Sequence, residues 1–134
     1  KINKENLGYL GIDFQYRLLQ QIVVDRRFGE SIIDIINPNY FEDSFLRVVC
    51  GKIVDNFNSF DSIPDMNSLE SILMENVNDE IDKQLFLDQL EKIKEADMNN
   101  GGRTQETAMK FCKQQELKKS VKEIQKIIDS RNGS

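Results

Sequence analysis

Apolar residues recur along this chain at spacings of three and four, the period of an amphipathic helix, and the strict alternation of a half-buried strand is hard to find. Phe14, Leu18 and Ile22, with Leu19 and Val23, share one face and predict a first helix from an N-cap at Asp13 to about Phe28. Ser31 then caps a short second helix, roughly Ser31 to Ile36, which offers Ile32, Ile33, Ile35 and Ile36 to a core. Pro38 disfavours helical backbone at the residue before it, so Asn37-Pro38-Asn39 reads as a turn. A third helix follows from about Ser44 to Phe60, capped by Asp43 or Ser44. It carries Phe45, Val49, Ile53 and Phe57 at every fourth position, with Val48 widening the stripe, the pattern of a central core helix.

The second half continues in the same period. Asp61-Ser62-Ile63-Pro64-Asp65-Met66 is a proline-marked connector, and Asn67 with Glu70 has the form of a capping box opening a helix with Leu69, Ile72 and Leu73. A fifth helix begins near Asn78, where Asp79, Glu80 and Asp82 suit the positive end of a helix dipole. Its apolar face is Ile81, Leu85, Phe86, Leu90 and Ile93, and Asn99-Asn100-Gly101-Gly102 is the expected stop. Thr104 then caps a long last helix reaching about Ser130. In it Ala108, Phe111 and Cys112 form one apolar patch, Gln114-Gln115 interrupt it, and Leu117, Val121, Ile124 and Ile128 resume at coiled-coil-like spacings of four, three and four. This seam either packs back on its own domain or is one arm of a dimerisation hairpin whose other arm lies past residue 134. The expected fold is all-α: a compact bundle of about six helices, with residues 1–103 as a globular body and 104–134 as the long C-terminal helix.

Composition narrows the function classes. A chain of 134 residues, 39% hydrophobic and 31% charged, can bury a core without disulfides or metal. Its apolar runs, such as Ile22-Val23-Val24, are too short for a membrane span, and the polar start Lys1-Ile2-Asn3-Lys4-Glu5 is not a signal peptide. A first residue other than Met points to an excised piece of a longer protein. Cys50 and Cys112, each inside a helical pattern, read as buried reduced thiols, in keeping with a cytoplasmic setting. The net charge of −5 is unevenly spread. Residues 1–102 hold ten Lys/Arg against nineteen Asp/Glu, a balance of −9, and residues 103–134 hold eight against four, a balance of +4. An acidic body is a poor platform for a polyanion, so DNA contact by this domain is expected to be weak or absent, with the last helix's lysines a solvated face.

Catalytic patterns are missing from the sequence. With no histidine, the usual general base and the commonest metal ligand are both absent, and no serine has a histidine partner. No segment fits the phosphate-binding pattern G-x-x-x-x-G-K-[ST], and Gly8-Tyr9-Leu10-Gly11 is too short for a nucleotide loop. Asp55 to Asp65 lacks the spacing and the glycine of a calcium-binding loop. The carboxylates Asp79, Glu80, Asp82, Asp88, Glu91 and Glu95 read as a solvated helix surface. Most aromatics hold core-like positions instead of forming a base-stacking platform, and Tyr40-Phe41 is either an exposed pair or a staple for the turn. Asn132-Gly133-Ser134 matches a glycosylation acceptor only formally. The segment is therefore read as a non-enzyme with no cofactor of its own.

Several stretches, in order, resemble the N-terminal domain of phage-type DnaB-like replicative DNA helicases. Leu7-Gly8-Tyr9-Leu10-Gly11-Ile12-Asp13-Phe14-Gln15 followed by Leu18-Leu19 is similar to the opening of that domain. Pro38-Asn39-Tyr40-Phe41 resembles its P-x-Y-F turn, and Ile63-Pro64 followed by Leu69 its next connector. Ala108-Met109-Lys110-Phe111-Cys112-Lys113-Gln114-Gln115-Glu116-Leu117 is similar to the F-C-x-x-Q-x-L helix before the hinge. The resemblance implies a collar domain that pairs through helical hairpins, supports ring formation and docks primase in a bacterial cell or phage-infected host. ATP and Mg would then belong to a motor domain beyond residue 134, reached through the second hairpin arm and a linker. The assembly seam would be Leu117, Val121, Ile124 and Ile128. The alternatives are the helicase-binding domain of a primase, or a small stand-alone replication adaptor.

Overall fold

Helix α1 (Ile12–Val24) is the hub around which the other elements gather. Its stripe of Phe14, Leu18, Leu19, Ile22 and Val23 is buried as the spacing predicts, and it packs against α2, α3, α5 and α6. The third helix was expected at the centre. It is flanking instead, because α1 is also buried on its polar side, through Gln15, Gln20 and Gln21. The computed structural model describes residues 3–133; Lys1 and Ile2 of the polar start and Ser134 of the Asn132-Gly133-Ser134 end lie outside the described residues.

The element order is α1, α2 (Arg26–Ile32), α3 (Ser44–Phe60), α4 (Met66–Met74), α5 (Glu80–Lys94) and α6 (Gly101–Asn132), with 3-10 turns at Leu7–Leu10, Pro38–Tyr40 and Met98–Asn100. Among the described residues every regular element is helical, as the all-α reading expects. None of these helices is long and apolar enough to cross a membrane. The boundaries of α3 and the Pro38 turn match expectation: Asp43 accepts hydrogen bonds from the Phe45 and Leu46 amides, and Asn37 is extended at φ −123°. Tyr40-Phe41 is a staple, with Phe41 fully buried.

Other boundaries move, each for a local hydrogen-bonding reason. Gly11, at φ 90°, is the residue before α1, a backbone conformation that favours glycine, and Asp13 sits in the first turn. The first helix stops at Val24, short of Phe28, because Asp25 turns extended and its carboxylate caps α2 by accepting from the Phe28 amide at 3.2 Å. Ser31 therefore lies inside α2, its hydroxyl donating to the Phe28 carbonyl. Asp65, not Asn67, caps α4 by accepting from the Ser68 amide. On α3 the stripe is completed by Leu46 and Cys50, while Val48 stays 42% exposed. Gly101 and Gly102, expected to end the fifth helix, instead open α6, which places Thr104 within the helix and buried, not at its cap.

The buried glutamines hold the layers in register. Gln15 accepts from the Glu42 amide and donates to the Gly11 carbonyl. Gln20 donates to the Lys94 and Ala96 carbonyls, taking up acceptors that the end of α5 leaves without helical partners. Gln21 accepts from Gln105 of α6 at 2.7 Å, and Gln105 also donates to Asp25 at 2.9 Å. No buried side-chain nitrogen or oxygen among the described residues lacks a partner. These bonds therefore avoid the desolvation penalty of about 1–3 kcal/mol that an orphaned buried polar group carries.

Candidate interaction surfaces

Helix α6 begins against the body and ends away from it. Gly101 is buried under Gln21, so closely that a Cβ there would meet the Gln21 Oε1 at 2.9 Å. Next come buried Thr104, whose hydroxyl accepts from Arg17, and then Ala108, Phe111 and Cys112 in the core. Phe111 takes the Tyr40 ring edge-on at 5.1 Å, which locks the Pro38 turn to this helix. Gln115 donates to the Lys4 carbonyl at 3.2 Å, and from Leu117 to Gly133 every residue is exposed. With no glycine or proline between Arg103 and Asn132 to bend it, the helix extends about 25 Å past Gln115 at 1.5 Å per residue.

All four seam residues lie on this projecting arm: Leu117 is 65% exposed, Val121 57%, Ile124 58% and Ile128 45%. Of the two readings open from sequence, packing back on the domain is therefore not the arrangement found. The reason is rotational. At about 100° per residue, the seam points roughly opposite the face that carries Thr104, Ala108, Phe111 and Cys112. The continuation of that body-facing stripe is Gln115, Lys118, Lys119, Lys122 and Lys126. The helix thus changes apolar faces at Gln114-Gln115-Glu116, and its arm turns lysines where its base turns core residues. Covering each seam side chain would contribute on the order of 1–2 kcal/mol.

A second apolar surface lies between α3 and α5. Ile81 and Leu85, expected on the buried face of α5, are 72% and 57% exposed. The five residues expected on that face span about 180° of the helix, too wide for one contact, and only Phe86, Leu90 and Ile93 turn inward. Phe45 of α3 and Phe86 of α5 meet with ring centres 5.0 Å apart. Around them opens a groove of about 390 Å³ lined by Phe45, Val48, Leu85, Phe86 and Gln89, with Asp43 and Asp82 as its charged residues. Gln89 is held at its end by the Tyr16 hydroxyl, which donates to it at 3.0 Å. An apolar face wider than one packing contact was the available signal in the sequence.

Chemistry-bearing groups are otherwise scattered or inert. Cys50 and Cys112 are free and buried; burial pushes both thiols up, Cys112 to about 12, so neither is a ready thiolate. The Asp25 carboxyl is held below its usual range, first by the Gln105 side-chain bond and then by the Phe28 amide. No group of three or more Cys, Asp or Glu among the described residues is arranged to hold a metal ion. Compared with models of protein families, with curated proteins and with solved structures, the chain has no match.

Proposed function

We propose that this chain is a non-catalytic assembly and protein-interaction domain of a DnaB-like replicative DNA helicase, a collar module that supports ring formation and primase docking. The observation that carries the reading is the α6 arm: a rigid helix that leaves the body and presents Leu117, Val121, Ile124 and Ile128 to solvent, away from its own core. On this reading the strip is covered when the hairpin formed with the arm past residue 134 pairs with that of a second copy of the domain. The acidic body and the order of motifs along the chain support a protein-binding collar over a DNA-binding one. ATP and Mg chemistry, on this reading, belongs to a motor domain, and the setting is the cytoplasm of a bacterium or infected host.

Sedimentation velocity of the chain and its Leu117→Asp variant, carried to millimolar concentration, tests this. The parent chain is expected to associate. The variant should associate at least about tenfold more weakly with the same helical circular dichroism, since Leu117 touches no core. A chain extended through the second hairpin arm that stays monomeric at such concentrations, or a Leu117→Asp variant that assembles as the parent does, overturns the assembly role.

A further inference from the structure

A separate cavity opens between α1 and the base of α6. Its volume of about 390 Å³ lies within the roughly 300–1,000 Å³ of small-molecule sites. Leu10, Phe14 and Arg17 line it from α1 and the turn before that helix; Asn100, Arg103, Thr104 and Thr107 line it from the other side. The charged residues among these, Arg17 and Arg103, are both cationic. Arg17 is half-buried and held in place: its guanidinium lies over the Phe14 ring at 5.8 Å, and its Nε donates to the Thr104 hydroxyl at 3.3 Å. Among the described residues, its two terminal nitrogens have no partner within the chain, and neither do the Arg103 guanidinium and the Thr107 hydroxyl. Asp13, Glu95 and Asp97, with Lys92, line the neighbouring cavity that Arg17 also borders, but none of the three carboxylates forms an ion pair with it. Two cations facing one cavity repel each other, and no carboxylate of the chain lines it to offset them. An anion with several acceptor oxygens removes that repulsion and engages the free N–H and O–H donors.

We propose that this cavity binds a small phosphate compound, either free phosphate or a phosphate monoester. A tetrahedral phosphate offers oxygens to donors on both walls. Arg17 supplies the end-on fork of a guanidinium already oriented by Phe14 and Thr104, and Arg103 supplies the second charge. The Thr107 hydroxyl and the Asn100 side-chain amide add further donors, and Leu10 and Phe14 leave an apolar wall for whatever group carries the phosphate. The bound phosphate bridges α1 to the base of α6 and involves no residue of the projecting arm.

Titration of the isotope-labelled chain at constant ionic strength, followed by two-dimensional proton–nitrogen NMR, tests this. Inorganic phosphate and phenyl phosphate are each expected to give saturable shifts at the Arg17 Nε–H and at the backbone amides of Arg103, Thr104 and Thr107. Tighter binding of phenyl phosphate assigns the site to an organic monoester that uses the apolar wall, and equal binding assigns it to the free ion. Arg103→Gln changes an exposed side chain with no partner in the chain, so it should weaken binding at least about tenfold with unchanged circular dichroism. Arg17→Lys keeps the charge and loses the fork, and should also bind more weakly. Succinate that binds as tightly as phosphate, shifts that do not saturate, or an Arg103→Gln chain that binds as the parent does overturns the proposal.

Discussion

Asp25 shows how much one side chain settles. It ends α1, caps α2 and accepts from Gln105 of α6, so three elements meet at one carboxylate. Nothing in the residue pattern marks it: no proline or glycine breaks the apolar stripe between Leu18 and Phe28, and the periodicity runs through. Its depressed pKa has a consequence for stability. A carboxyl whose folded pKa lies below its unfolded value, about 3.9, contributes stability that is present above that value and lost as pH falls through the folded pKa. Asp25→Asn keeps a capping oxygen and removes the charge. The stability gap between the parent and this variant, from urea unfolding, is expected to be open near neutral pH and to close as the solution is acidified through and below the ordinary carboxylate range. A gap independent of pH would mean that the charge adds nothing to the cap.

Among the elements, α3 was legible almost to the residue, because an aspartate cap and a four-residue apolar repeat coincide with its ends. The last helix was legible in length and in its two apolar patches, but its start was not. A pair of glycines after asparagines has the signature of a helix stop, and only tertiary packing reverses that reading: Gln21 of α1 occupies the space where a side chain at position 101 would sit. The two glycines should therefore respond differently to alanine. Gly101→Ala pushes its Cβ against Gln21 Oε1 at 2.9 Å and disturbs the bond to Gln105, an overpacking expected to cost about 1–3 kcal/mol. Gly102→Ala meets nothing within 4 Å and gains helix propensity, so it should stabilise by up to about 0.5–1 kcal/mol. Thermal unfolding of the two single variants compares them directly; equal shifts would mean that Gly101 is not where Gln21 packs. The exposed half of α5 was misread for the converse reason. Ile81 and Leu85 carry the apolar signal of a core, and periodicity cannot say whether an apolar residue is covered by its own chain or by another.

At the scale of the whole molecule, the division of charge becomes a matter of rate. Residues 1–102 carry a balance of −9 and residues 103–134 a balance of +4, and the structure puts most of the second group on an arm that projects from the first. Such a molecule has a negative end and a positive end, and two copies approaching arm to body attract before they touch. Steering of this kind acts across several ångströms of water and is screened once the Debye length shrinks from about 30 Å at 0.01 M salt to a few ångströms near 1 M. The apolar seam, once seated, is insensitive to salt of this strength. Stopped-flow association of fluorescently labelled chains is therefore expected to slow by roughly tenfold over that range, while the dissociation rate changes little. The opposite partition, a constant association rate and a faster dissociation, would place the energy of assembly in ion pairs instead of in Leu117, Val121, Ile124 and Ile128. Arm-to-arm contact brings two basic segments together, so there added salt should speed association. The sign of the salt effect on the association rate thus distinguishes a basic arm meeting an acidic body from a basic arm meeting its own copy.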